Sequence, residues 1–215
     1  MQTLFVTATG TDIGKTYAVL KLIEAFSERG IRVGICKPVE TGVVDTPVDA
    51  TLLLKACQKA NPSFGDLSPE EITAYTFSLP AAPFCADTQQ TIDPEKILDK
   101  IEALKSRCDL LIVEGAGGLM VPITQEFMMI DLIKRLDAKV LLITPSRLGC
   151  INETLLSLEV LASRGIDYDW CVNLYEDRDN FAKVTQPYYD AAYPEWWSIQ
   201  KGLEHFVNRH LSSSS

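Results

Sequence analysis

No stretch of this chain approaches the roughly 18 consecutive apolar residues that a membrane-spanning helix needs, so none is expected to cross a bilayer. Positive charge is scarce too: 20 Lys and Arg stand against 29 Asp and Glu, a net charge of −9. A nucleic-acid surface needs clustered Lys and Arg, and this balance argues against one. It leaves room for a small anionic ligand, which a few placed cations can hold. Histidine is nearly absent; His205 and His210 fall off any shared helical face and read as surface residues. The six cysteines never form a C-x-x-C pair, which disfavours a metal cluster and a disulfide framework. Buried or half-buried reduced thiols are expected instead. The first residues carry no basic segment followed by a long apolar run, so no signal peptide is expected. These absences together predict a cytoplasmic protein with neither membrane nor nucleic acid as a partner.

What is present is an ordinary globular composition, 47% hydrophobic and 23% charged over 215 residues, enough for one substantial core. Neither an internal repeat nor a linker is visible. The expectation is one domain over residues 1–211, with the serine-rich 212–215 as a disordered tail.

Strand and helix patterns alternate. Leu4–Ala8 reads as a strand, followed by a helix from about Gly14 to Glu28 that Gly30 stops. Ile31–Lys37 reads as a strand, Asp49–Ala60 as a helix, and Thr73–Phe77 as a short strand. The proline-rich Leu79–Ala86 reads as irregular. Asp93 followed by Pro94 is a good helix start, and that helix runs to about Arg107. Leu110–Glu114 and Lys139–Thr144 are continuous apolar runs of the kind shown by parallel strands covered on both faces. Asn152–Arg164 reads as a helix and Tyr168–Leu174 as a strand. The alternation predicts an α/β fold with a mainly parallel central sheet flanked by helices. Ligands of such sheets collect beyond the carboxyl ends of the strands. The segments after the strands are therefore where chemistry is expected.

The first of these reads F-V-T-A-T-G-T-D-I-G-K-T from Phe5 to Thr16, a phosphate cradle between a strand and a helix. Lys15 would reach the β- and γ-phosphates, and the Thr16 hydroxyl would hold Mg²⁺. The usual pattern places Gly where this chain has Thr9. Lys37 closes the second strand before a proline and faces the cleft, adding a second cation of the kind phosphoryl transfer needs. Glu114 ends a buried apolar strand, where a Mg²⁺-holding carboxylate belongs, and glycines follow it. Asp49, in a helix's first turn, reads from position alone as a partner for the helix dipole.

Taken in order, G-T-D-I-G-K-T, K-P-V-E-T-G and V-E-G-A-G-G, with Leu148-Gly-Cys-Ile-Asn152 later, resemble dethiobiotin synthetases. The matches run from about residue 4 to about residue 174. The resemblance implies a single-domain P-loop NTPase fold and a homodimer. It also implies closure of a ureido ring from 7,8-diaminononanoate, CO₂ (or bicarbonate) and ATP, with Mg²⁺. By the same resemblance Lys15 and Lys37 are catalytic, and Thr16, Asp49 and Glu114 hold the metal. Nucleotide contacts fall to Asp12, Ile13, Gly14, Lys15, Thr16, Tyr17, Asp49, Glu114, Gly115, Ala116, Gly117 and Asn173. Substrate contacts fall to Thr11, Lys37, Thr41 and Gly118. Gly149, Cys150, Ile151 and Asn152 of a second subunit complete the set, with Asn152 suited to cap its helix.

There are departures from that family's pattern. Ala8 stands where a glycine is usual and is expected to narrow the loop's backbone options, and Asp12 replaces a common glutamate. No clear counterpart of the base-binding loop appears around Tyr193-Pro194-Glu195-Trp196-Trp197, so base selectivity is expected to be weak. Trp196 and Trp197 read as packing residues. A ParA/MinD-type switch ATPase is the alternative of another class. That class favours an early lysine in the phosphate loop and a basic or amphipathic surface, and residues 8–13 and the acidic composition offer neither. Amide synthetases of the same superfamily carry a further glutaminase domain, for which the length leaves no room.

Overall fold

The structure, a computed structural model, describes residues 2–212. Residues 213–215 of the expected tail lie outside the described residues, while Ser212 is the last residue of a helix.

Buried apolar runs set the central sheet. The strands are β1 (Gln2–Ala8), β2 (Val33–Cys36), β5 (Leu110–Glu114), β6 (Lys139–Pro145), β7 (Tyr168–Asn173) and β8 (Trp197–Ser198). They lie in the order β2-β5-β1-β6-β7-β8, and every pairing is parallel. The chain therefore reverses its direction of strand addition at β1, which sits between β5 and β6. Register places Glu114 opposite Val6, and Ile143 opposite Ala8. Two further strands, β3 (Val39–Thr41) and β4 (Tyr75–Phe77), form a separate parallel pair beyond β2. The expected strand at Thr73–Phe77 is real but lies outside the main sheet.

Helices follow from apolar spacing and local stops. In α1 (Lys15–Ser27), Ala18, Val19, Leu22, Ile23 and Phe26 are buried at helical spacing, and Gly30, at φ 77°, ends the turn that follows. Next come α2 (Val48–Ala60), α3 (Pro83–Ala86), α4 (Pro94–Lys105), α5 (Met129–Leu136) and α6 (Cys150–Ser163), then α7 (Arg178–Val184), α8 (Gln186–Ala192) and α9 (Ile199–Ser212). In α4 the Asp93 side chain caps Glu95 N–H at 3.0 Å and Pro94 occupies the first position. The helix α1 packs against α2 and α9, and α4 packs against α5.

Several expectations are corrected. The proline-rich Leu79–Ala86 contains α3, because Pro83 presets the first helical residue. The start of α6 lies at Cys150 with Gly149 as its cap residue at φ 95°, so Asn152 sits inside the first turn and is not the cap. His210 is buried between the rings of Phe26 and Phe206, at centroid distances of 5.6 and 5.7 Å. Burial lowers its pKa to about 4, with Lys139 acting in the same direction. It is a core residue; His205 is exposed. Cys85 is exposed, while the other five free thiols are buried. Trp196 and Trp197 do pack: Trp196 against Phe181 and Tyr189, Trp197 stacked on Phe206.

Candidate active site

The carboxyl ends of β1, β2 and β5 open into a cavity of about 770 Å³. The loop from Thr9 to Gly14 forms one wall. It turns through two left-handed residues, Asp12 at φ 57° and Gly14 at φ 93°. Ala8 is the last residue of β1 and has no such backbone, so alanine fits there and the expected narrowing does not arise. Gly14 caps α1 without a side-chain bond, and no acidic residue lies in that helix's first turn. The first-turn N–H groups are thus left for an external anion.

Lys15 is 8% exposed, and its Nζ donates to the Gly10 carbonyl at 2.9 Å, folding across its own loop. Burial, then the nearby Lys37, lowers its pKa to about 8, against the pull of Glu114 and Asp49. Thr16 Oγ1 donates to Glu114 Oε1 at 3.0 Å.

Lys37 follows β2 and is 4% exposed, so it sits in the wall of the cleft and not freely within it. Its Nζ lies 2.5 Å from Glu114 Oε1 and 3.3 Å from Asp49 Oδ2. Burial alone would lower its pKa, but Glu114 and Asp49 outweigh burial and raise it. These carboxylates favour the charged form of Lys37, which suits it to stabilise anions. Glu114, fully buried at the tip of β5, gathers Thr16 and Lys37 on one oxygen. Its other oxygen, Oε2, is buried with no hydrogen-bond partner.

A carboxylate oxygen orphaned beside a threonine hydroxyl and a second carboxylate is a donor set that suits Mg²⁺, a hard cation taking oxygen ligands. Among the described residues no group of three His, Cys, Asp or Glu side chains forms a closed metal site. Such an ion would need oxygens from a bound phosphate and water to complete its shell, which is how Mg²⁺ is usually held.

The cavity brings together Thr11, Asp12, Gly14, Lys15 and Thr16 from the loop with Lys37, Thr41, Asp49, Glu114, Ala116 and Gly117. It does not include Ile13, Gly115 or Gly118, which pack inward. A Cβ on Gly115 would lie 2.9 Å from Phe5, and one on Gly118 would lie 3.2 Å from the Ala8 carbonyl. Tyr17 lines a separate groove between α1 and α9. Asn173 is buried behind the loop, donating from Nδ2 to Ile13 O at 2.9 Å and accepting from Gln200 Nε2 at 2.8 Å. Gly149, Cys150, Ile151 and Asn152 do not line this chain's own cavity.

Sequence reasoning missed Glu40, Val39 and Val121, and also Pro80 to Pro83, which close the far wall. Glu40 was in view within K-P-V-E-T-G, but its partners lie in another element. It also missed the return of the chain to the nucleotide end. The strand β8 pairs with β7 and feeds straight into α9, which brings Gln200 to Asn173. Tyr175 Oη reaches the Asp12 carbonyl at 2.7 Å from the loop after β7.

Comparison with known proteins agrees with this geometry. A family model described as an AAA domain matches residues 2–170. An ATP-dependent dethiobiotin synthetase of Sulfurovum sp. (strain NBC37-1) is 59% identical over 207 residues, spanning 96% of this chain and 99% of that protein. Another from Wolinella succinogenes is 37% identical over 216 residues, spanning 99% and 100%. Among solved structures, the MinC:MinD cell division protein complex of Aquifex aeolicus matches with a TM-score of 0.55 at 16% identity, over 97% of this chain and 86% of that one. At that identity the likeness carries the P-loop NTPase fold alone, and the switch-ATPase alternative has no further support. With relatives of one activity matched along nearly their whole length, the chain belongs to the ATP-dependent dethiobiotin synthetase family.

Proposed function

We propose that the cavity at the ends of β1, β2 and β5 performs dethiobiotin synthesis on 7,8-diaminononanoate, CO₂ and ATP. The observation that carries this reading is the convergence of Thr16 and Lys37 on Glu114, with Asp49 on the same Lys37, beside a helix start with free N–H groups. One amine of the diamine adds to CO₂ with loss of a proton, giving a carbamate. A carbamate oxygen then takes the γ-phosphoryl group, and ADP leaves. The second amine attacks the carbamoyl carbon, the C–O bond to phosphate breaks, and the ureido ring closes.

Each step accumulates charge on oxygen. The first-turn N–H groups of α1 and Lys15 hold the β- and γ-phosphates once Lys15 swings off Gly10. Lys37 stands against the carbamate and the transferring phosphoryl group as a cation. Thr16, Asp49 and Glu114 would hold Mg²⁺, which when bound neutralises phosphate charge. Thr11 and Thr41 offer hydroxyls to the diamine end of the substrate. Asn173 already spends one donor and one acceptor inside the protein, which favours weak discrimination between bases.

The far end of the substrate is a carboxylate on a long aliphatic chain. At the start of α6 the Cys150 N–H turns back to the Arg147 carbonyl, while Gly149 provides no side-chain cap for the N–H groups of Ile151 and Asn152. Leu148, Asn152 and Leu156 recur every four residues and are exposed, Leu148 by 74%. This favours a homodimer in which Gly149, Cys150, Ile151 and Asn152 of one copy receive the carboxylate bound in the other. The test is phosphate release from ATP by the purified chain. It should require both diaminononanoate and bicarbonate; release independent of the diamine would overturn the proposal.

A further inference from the structure

Asp49 is gripped from two sides by one short segment. The helix α2 has no cap of its own, since Pro47 precedes it and offers no side-chain acceptor. Its first N–H groups still need partners. They find them in Glu40, at the centre of β3, whose Oε1 accepts from Asp49 N–H and whose Oε2 accepts from Ala50 N–H, both at 2.9 Å. Three residues earlier, Lys37 meets the Asp49 carboxylate at 3.3 Å.

Glu40 is 6% exposed and is held in place by the pairing of β3 with β4, where it stands opposite Thr76. A carboxylate on two helix N–H groups makes charge-assisted bonds and also complements the helix dipole. An acid in a first turn commonly does this work for its own helix. Here Glu40 does it, and the Asp49 carboxylate is left to turn toward Lys37. Each Glu40 oxygen is engaged by one N–H group of α2.

We propose that Glu40 is the positioning residue that aims Asp49 into the metal site. The inference rests on the reading above that Asp49 helps to hold Mg²⁺. Two substitutions separate placement from charge. Glu40→Gln removes the charge and turns an N–H group toward a helix N–H. Glu40→Asp keeps the charge but leaves the carboxylate short of α2.

The experiment measures binding of a non-hydrolysable ATP analogue with excess Mg²⁺ and again with EDTA, and takes the ratio as the metal's contribution. Both variants should lower that ratio by about tenfold, a typical loss for a partner that orients a ligand. Affinity in EDTA should be unchanged, which also reports an intact phosphate loop. Asp93→Ala, which removes the cap of α4, should lower thermal stability without moving the ratio. If Glu40→Asp keeps the wild-type ratio, charge and not position is at work, and the inference is overturned. If both variants keep it, Glu40 is only a structural cap, and the inference is equally overturned. Should Glu40→Gln fail to fold, Glu40→Asp carries the test. Asp49→Asn separates the two levels. An unchanged ratio there removes Asp49 from the metal site, whereas a fall there with none in the Glu40 variants removes the positioning role alone.

Discussion

Asn173, at the end of β7, lies against the backbone of the phosphate loop: its Nδ2 donates to Ile13 O, and a Cβ on Gly14 would stand 2.3 Å from that nitrogen. The loop's shape thus depends on a residue from the far side of the sheet. Gly14→Ala meets both this contact and a left-handed backbone, a conformation that costs about 1–3 kcal/mol for a side chain to hold. Urea unfolding should show a loss of that order, with nucleotide binding lost. Adding Asn173→Ala should recover part of the stability, and a fully additive double mutant would contradict the contact.

Lys15 makes nucleotide binding sensitive to alkaline pH. Its folded pKa, about 8, lies below the ordinary 10.5, so between those values the empty fold binds fewer protons than the unfolded chain. By linkage this group adds stability as the pH rises through that window. Nucleotide affinity moves the other way, because phosphate favours the charged lysine. It should weaken by up to about tenfold per pH unit above roughly pH 8. Titration calorimetry across that range checks the sign. Lys15→Ala should flatten the profile and lower turnover by about 10²- to 10³-fold.

Glu114→Gln should raise the Mg²⁺ concentration needed for half-maximal rate. It should also weaken the fold, because Lys37 would stay buried beside an uncharged amide. Losing one partner of a buried pair costs about 3–5 kcal/mol, and Asp49, still present, should hold the loss to the lower end. Replacing Lys37 with Met in the same chain should return most of the stability but no activity. A variant with wild-type Mg²⁺ demand would remove Glu114 as a ligand.

Much of the sheet, and many of the residues that line the cavity, were legible in the chain. Phe5–Ala8, Leu110–Glu114 and Lys139–Thr144 are continuous apolar runs, and a strand buried on both faces needs just that pattern. Lys37 and Glu114 were singled out because each closes a strand pattern, and Lys15 because it stands in the G-K-T turn between β1 and α1. Glu40 was not, since its role depends on the N–H groups of Asp49 and Ala50 and no local pattern records them. The helices α7 and α8 span seven residues each and β8 two, too few for either period to show. His210 read as a surface residue because it falls off any helical face shared with His205, yet it is buried on one face of α9 with Phe206 and Val207.

The proposed composite site predicts complementation. Lys37→Ala in one copy and a bulky replacement of Gly149 in the other should each abolish activity alone. Verified heterodimers of the two should recover part of it, because one of the two mixed sites is intact. No recovery, or a monomer with full activity, would remove the two-subunit site.

The central claim is that the γ-phosphoryl group passes to a carbamate oxygen and leaves with it. Rapid-quench single turnover with ¹⁸O-labelled CO₂ reads this directly, since C–O cleavage at ring closure carries one CO₂ oxygen into phosphate. The account predicts inorganic phosphate bearing one ¹⁸O and a ureido carbonyl bearing the other. Unlabelled phosphate formed along with dethiobiotin would contradict it.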